Sequence, residues 1–140
     1  MIAELAIAQR QGTSVFSVFV DVDGLKEVND TIGHDAGDRI LRLVAEQLER
    51  TFRRGDLVAR WGGDEFVVIG LGVRPDPAVL EERITEALLA EPERPRDWPG
   101  RLSTGVADIE ATEAHIEAVD DLIGRADLDM YERRARRRSG

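Results

Sequence analysis

The chain reads as an α/β sandwich, one sheet with an antiparallel portion covered by helices that return to it. Three observations predict this. β-Rich runs alternate with apolar stripes of helical spacing. Val15 to Val22 is nearly continuously apolar, as a central strand buried on both faces would be. Two further apolar runs flank Gly62-Gly63, which reads as a β-hairpin.

The elements follow in order. Ile2 to Gln11 carries apolar residues at 2, 5 and 7 and reads as a short helix ended by Gly12. The Val15 to Val22 strand runs into Asp21-Val22-Asp23-Gly24, so the two-residue period puts both aspartates on one side of its end. Asp30 to Gly37 reads as a loop or a break between helices. A helix is predicted over Asp38 to Phe52, with Ile40, Leu41, Val44, Leu48 and Phe52 on its stripe and Gly55 closing it. The hairpin follows, from Leu57-Val58-Ala59 to Phe66-Val67-Val68-Ile69. Asp76 and Pro77 open the next helix as cap and first-turn residue, before Val79, Leu80, Ile84, Ala87 and Leu88. Pro92, Pro95 and Pro99 mark a loop. Arg101 to Ile109 is a strand despite Gly105, and Val119, Leu122, Ile123, Ala126 and Met130 give a last helix running into arginines. This order is the βαββαβ pattern of ferredoxin-like palms, an α/β (α+β) fold with a central mixed or antiparallel sheet flanked by helices.

Composition narrows the function. One domain is the expectation for 140 residues. No stretch approaches the roughly 18 apolar residues of a membrane helix. The start lacks the basic and apolar regions of a secretory signal, and there are no cysteines, which fits a reducing cytoplasm. A net charge of −9 disfavours general nucleic-acid binding, which needs a basic face. The charge is uneven, however. Arg133, Arg134, Arg136, Arg137 and Arg138 crowd the C-terminus, as a solvated end or as an anion contact.

Chemistry concentrates at the hairpin. Asp64 and Glu65 are adjacent anions at its tip, where nothing apolar is gained. The pair makes sense if the tip meets a cation or a phosphate-bound metal. If the hairpin and the first strand are sheet neighbours, Asp21 and Asp64 can share a divalent ion. Hard oxygen ligands suit Mg²⁺, which completes its shell with water and phosphate oxygens. Gly62 and Gly63 would let backbone approach a nucleotide closely. An ordinary Gly-Gly-Asp turn is the plain alternative. Lys26 is either a phosphate contact or a surface lysine. Asn29 and Asp38 present donors and acceptors complementary to a guanine edge, or are turn and cap residues. His34 reads as structural, His115 carries no assignment, and Trp61 and Trp98 read as packing or surface anchors. No Gly-x-x-x-x-Gly-Lys-Ser/Thr loop is present.

Arg60-Trp61-Gly62-Gly63-Asp64-Glu65-Phe66 resembles the signature loop of the GGDEF family, the diguanylate cyclases. Further motifs resemble the same family in order. They are Asp21-Val22-Asp23-Gly24-Leu25-Lys26-Glu27-Val28-Asn29-Asp30, Gly33-His34-Asp35-Ala36-Gly37-Asp38, Ser103-Thr104-Gly105-Val106-Ala107, and Ala126-Asp127 with Met130-Tyr131. The resemblance runs from about residue 15 to 138.

It implies a nucleotidyl-cyclase-like palm that condenses two GTP into cyclic di-GMP and pyrophosphate in an antiparallel homodimer. Asp21, the Val22 carbonyl and Asp64 would hold Mg²⁺ (or Mn²⁺), and Glu65 would help activate the 3′-hydroxyl. Asn29 and Asp38 would read guanine. Lys26, Arg134 and Arg138 would contact phosphates, with Gly62 and Gly63 close to the nucleotide. Arg53-Arg54-Gly55-Asp56 resembles the Arg-x-x-Asp of an inhibitory product site, with Arg83 as a third member. Read alone, Arg53 is a helix C-terminal cation complementing the dipole.

The chain departs from the pattern in places. Leu25 replaces a common Phe, Arg134 a usual Lys, and Arg137-Arg138-Ser139 the Gly-Arg-Asn ending. A Leu-Thr-x-Leu-x-Asn-Arg stretch is missing upstream, so residues 1–140 read as one GGDEF domain lacking that segment and any sensory domain. Two other readings compete. One is a non-catalytic module that binds GTP or cyclic di-GMP. The other is a palm-type polymerase or another nucleotidyl cyclase, which would leave the Arg-x-x-Asp unexplained.

Overall fold

A computed structural model describes residues 13–110, 112 and 116–139. The elements are β1 (Ser14–Val22), α1 (Leu25–Thr31), α2 (His34–Thr51), β2 (Leu57–Arg60), β3 (Glu65–Leu71), α3 (Pro77–Leu89), β4 (Leu102–Glu110) and α4 (Ile116–Ser139). The helix expected over Ile2 to Gln11 lies outside the described residues, as does His115.

The sheet has the order β2-β3-β1-β4, and every neighbouring pair is antiparallel. The antiparallel portion expected of it therefore extends over the whole sheet, in a mixed α+β fold. β1 is interior, which explains its nearly continuous apolar run. Its residues divide by the period of two. Phe16, Val18, Val20 and Val22 face a core with Ile40, Val44 and Leu48 of α2 and Leu80, Ile84 and Leu88 of α3. Val15 and Phe19 face the other way, onto Leu122, Ile123, Ala126 and Met130 of α4. No helix among the described residues is long and apolar enough to cross a membrane.

Two sequence expectations change. The loop predicted over Asp30 to Gly37 shrinks to Ile32 and Gly33, because α2 begins at His34 rather than at Asp38. Asp38 is therefore an exposed residue of the first helical turns and not a cap, the position before the helix being held by Gly33. The reason lies in packing. A Cβ on Gly37 would fall on the Asn29 side-chain oxygen, so glycine is what leaves room for the Asn29 side chain of α1 against α2. Local pattern shows a glycine as a breaker and cannot show this approach. The start of α3 is as expected, since the Asp76 carboxylate accepts from the Ala78 and Val79 amides at 2.9 and 3.2 Å.

Candidate active site

The period of two also builds the site. Asp21 shares the α4-facing side of β1 with Val15 and Phe19, and β3 places Glu65 directly opposite it. The Val22 amide donates to the Asp64 carbonyl at 2.9 Å, fastening the hairpin tip to the end of β1. Asp21, Asp64 and Glu65 thus each offer a carboxylate oxygen within 4.8 Å of the others. The sequence allowed this if the strands were neighbours, and they are.

Three carboxylates this close repel one another. Burial, with Asp64 beside it, pushes the Asp21 pKa up to about 6, against the lowering influence of Arg134. Burial, then Asp64 and Asp127, also raise that of Glu65. A cluster of hard oxygens paying such mutual repulsion fits a Mg²⁺ or Mn²⁺ ion as ligand set.

Arginines of α4 face the acids. Arg134 Nη2 donates to Asp21 at 2.8 Å and to Asp23 at 3.0 Å. Burial alone would lower the Arg134 pKa, but the bond to Asp21 and the attraction of both aspartates outweigh it and raise it. Lys26 and Val22 line the same cleft of about 530 Å³ with Asp21, Asp64 and Arg134. Arg138 lies on α4, with its side chain outside the described residues.

Asn29 sits against Gly37, the residue before Asp38, so the two candidate guanine readers stand on adjoining turns of α1 and α2. Asp38 lines a second cleft, of about 510 Å³, with Arg42, Arg60 and Phe66. Gly62 and Gly63 do not adopt left-handed backbone. Gly62 instead makes room for the Glu65 side chain, which a Cβ there would strike, whereas Gly63 opens to free space.

Arg53 and Asp56 are brought together by a tight turn. The Asp56 carboxylate accepts from the Arg53 amide at 2.9 Å, and the Asp56 amide donates to the Arg53 carbonyl at 3.0 Å. The Arg53 side chain is exposed. Arg83 is exposed on α3, and no hydrogen bond or ion pair joins it to Arg53 or Asp56.

Sequence reasoning gave three supporting residues no part in the site, although it read Trp98 as a packing residue or surface anchor. Trp98 is fully buried, and its indole N–H donates to the Asp23 carbonyl at 2.7 Å. Ser103 is also buried and donates to the Asp23 carboxylate at 2.9 Å, while Arg134 Nε donates to its hydroxyl oxygen at 3.0 Å. Arg60 donates to the Gly62 and Gly63 carbonyls at 3.2 and 2.9 Å and braces the hairpin tip. Ser103 stood within a quoted motif. Trp98 had no local signal beyond its place in a proline-rich loop.

An antiparallel palm with clustered carboxylates at a strand end, faced by arginines, suits metal-assisted chemistry on nucleotide phosphates. Residues 2–140 match the family described as the GGDEF domain of diguanylate cyclases, and the chain belongs to that family. It is 36% identical over 131 residues to diguanylate cyclase DgcP of Pseudomonas aeruginosa, covering 91% of this chain and 19% of that protein. Probable diguanylate cyclase DgcC of Escherichia coli is 34% identical over 126 residues, covering 88% of this chain and 33% of that protein. The chain thus spans between 19% and 33% of the length of these two relatives. Among solved structures, the active GGEEF domain of a diguanylate cyclase from Vibrio cholerae superposes with a TM-score of 0.74 at 25% identity, covering 93% of this chain and 82% of that one. The GGDEF domain of DgcB from Caulobacter crescentus in complex with c-di-GMP gives 0.67 at 28% identity, covering 99% and 83%.

Proposed function

We propose that this chain, as a single GGDEF domain over residues 1–140, is a cytoplasmic diguanylate cyclase condensing two GTP into cyclic di-GMP. The observation that carries the reading is the convergence of Asp21, Asp64 and Glu65 within 4.8 Å at the mouth of a cleft walled by Arg134. Asp21 and Asp64, with the Val22 carbonyl, would hold Mg²⁺ or Mn²⁺. When bound, the ion would neutralise charge developing on the phosphates.

In the reaction the 3′-hydroxyl oxygen of one GTP bonds to the α-phosphorus of the other, and the bond to pyrophosphate breaks. The hydroxyl proton must leave, and Glu65 would accept it, a role that its raised pKa supports. Lys26, Arg134 and Arg138 hold phosphates. Asn29 and Asp38 hold guanine, and Gly62 and Gly63 keep the approach to the nucleotide open. Each domain holds one GTP, so an antiparallel homodimer must form for two to meet.

Incubation with GTP and Mg²⁺ at several protein concentrations, followed by chromatography with mass detection, tests this. Cyclic di-GMP should rise more than linearly with protein. Nucleotide binding without product at any concentration would favour the non-catalytic module instead.

Two further outcomes are expected. Gly37→Ala would push the Asn29 amide aside and should raise the KM for GTP by about tenfold, as for the loss of a good hydrogen bond. Its melting temperature should hold, because alanine gains about 1 kcal/mol in helix propensity that offsets the crowding. An unchanged KM would remove Asn29 from guanine recognition.

The exposed Arg53, with Asp56 and Arg83, would form the inhibitory product site. Arg53→Ala should raise the half-inhibitory cyclic di-GMP concentration by about tenfold or more, as for a lost charge-assisted contact. The turn should survive, since Asp56 holds the Arg53 backbone and not its side chain. Unchanged inhibition would show that the product acts elsewhere.

A further inference from the structure

Arg137 has no part in the site as assigned so far, and the resemblance puts glycine at its position. Yet its guanidinium is held from two sides. Nη1 donates to Glu81 of α3 at 2.8 Å, and Nη2 donates to the Ser103 hydroxyl at 2.7 Å and to Asp23 at 3.4 Å. Glu81 also meets Arg133 at 3.5 Å, and Arg133 Nε donates to the Thr104 carbonyl at 2.9 Å. Glu81 does not line the cleft. It pins two arginines of α4 that stand one turn apart on one face.

Arg137 does line the cleft, and its side chain keeps 36% of its exposure. The cleft wall carries Lys26, Arg101, Arg134 and Arg137 against Asp21, Asp23, Glu27 and Asp64. A divalent ion on Asp21 and Asp64 would leave the cations in excess, on a chain whose net charge is −9. A phosphate chain is the ligand that such a wall suits, because guanidinium forks match phosphate oxygens.

We propose that Arg137, aimed by Glu81 and Ser103, is an additional substrate-binding cation for the phosphates of the nucleoside triphosphate, and that Glu81 is its positioning residue. The inference rests on the GTP-condensing reading of the site.

The test measures Mg·GTP affinity by calorimetry, and KM and kcat by product formation, in wild type and four variants. Arg137→Ala should weaken affinity and raise KM by about tenfold, the usual loss for a charge-assisted contact, with kcat little changed. Arg137→Lys should recover part of this. Glu81→Gln should also raise KM, although removing an anion beside a polyanion site would by charge alone lower it. Arg136→Ala, which removes the same charge from the same helix, should match wild type. Cyclic di-GMP affinity at the Arg53 turn serves as the check on folding. If Arg137→Ala loses that check, Glu81→Gln and Arg137→Lys decide the matter. Wild-type affinity and KM in Arg137→Ala, or an unchanged or lower KM in Glu81→Gln, would overturn the proposal. A wild-type chain that neither binds nor turns over Mg·GTP would overturn the functional reading itself, and the proposal with it.

Discussion

Asp64→Ala should abolish cyclic di-GMP formation while the domain stays folded. Asp64 is the centre of the acidic cluster, since it raises the pKa of both Asp21 and Glu65. Its side chain sits at a hairpin tip, and the contact that ties the tip to β1 uses its backbone carbonyl. Alanine keeps that carbonyl. What it removes is one metal oxygen and one source of repulsion. A rate loss on the order of a thousandfold or more is expected, comparable to removing a main electrostatic element of a catalytic site. The metal-free melting temperature should be equal to or above that of wild type, since like charges are relieved. Turnover within tenfold of wild type would take Asp64 out of the mechanism. A large fall in melting temperature would instead show that the acidic tip is there for folding.

The same cluster sets a pH dependence. The Asp21 pKa is raised from 3.8 to about 6, so the folded chain holds a proton that the unfolded chain has already released. This contribution to stability is fully present below about pH 3.8 and is lost as pH rises through about 6. Metal-free protein should therefore lose stability across that window from this group. Mg²⁺ competes with the same proton, so its stabilising effect should be larger at pH 7.5 than at pH 5. Thermal melts at both values, with and without Mg²⁺, check the sign. Equal stabilisation at the two pH values would exclude Asp21 as a ligand.

Much of this architecture was legible because it follows from periods. The run Val15 to Val22 read as an interior strand, and the period of two then put Asp21 on the face where α4 brings Arg134. The hairpin was equally open to reading, since apolar runs flank a glycine turn. The start of α2 was not. Gly33 and Gly37 look alike in sequence, yet one precedes the helix and the other lies within it, against Asn29. The supports of the site were also hidden. Trp98 lies 75 residues from the Asp23 carbonyl it holds, and Arg137 lies 56 from Glu81. No local pattern encodes contacts between such distant positions. Gly105 shows this most sharply, because in sequence it is only a weak point in a strand.

Gly105→Ala should be the most damaging single-methyl addition to the fold. Gly105 lies on β4 where α4 crosses the sheet. A Cβ there would press on the Ala126 carbonyl and the Met130 amide, and would stand 2.7 Å from Met130 Cα. These are backbone atoms of a helix, so no rotamer change can make room. α4 would have to move off the sheet. That would loosen Leu122, Ile123, Ala126 and Met130 from Val15, Phe19, Val67 and Ile69, and stretch the bond from the Val106 amide to Asp129, now 2.8 Å. Overpacking costs about 1–3 kcal/mol, and contact with backbone places this case at the top of that range. Domains are stable by only about 5–15 kcal/mol, so a fall of about 10 °C in melting temperature is expected. Gly124→Ala is the control. It lies on the same helix with nothing within 4 Å of its added Cβ, and it should stabilise by up to about 1 kcal/mol through propensity. The arginines make the effect functional as well, because a displaced α4 carries Arg134 away from Asp21 and Arg137 away from Ser103. Gly105→Ala should therefore lose GTP affinity even below its melting temperature. A variant that melts with wild type and binds GTP equally well would show that α4 can shift without disturbing the site.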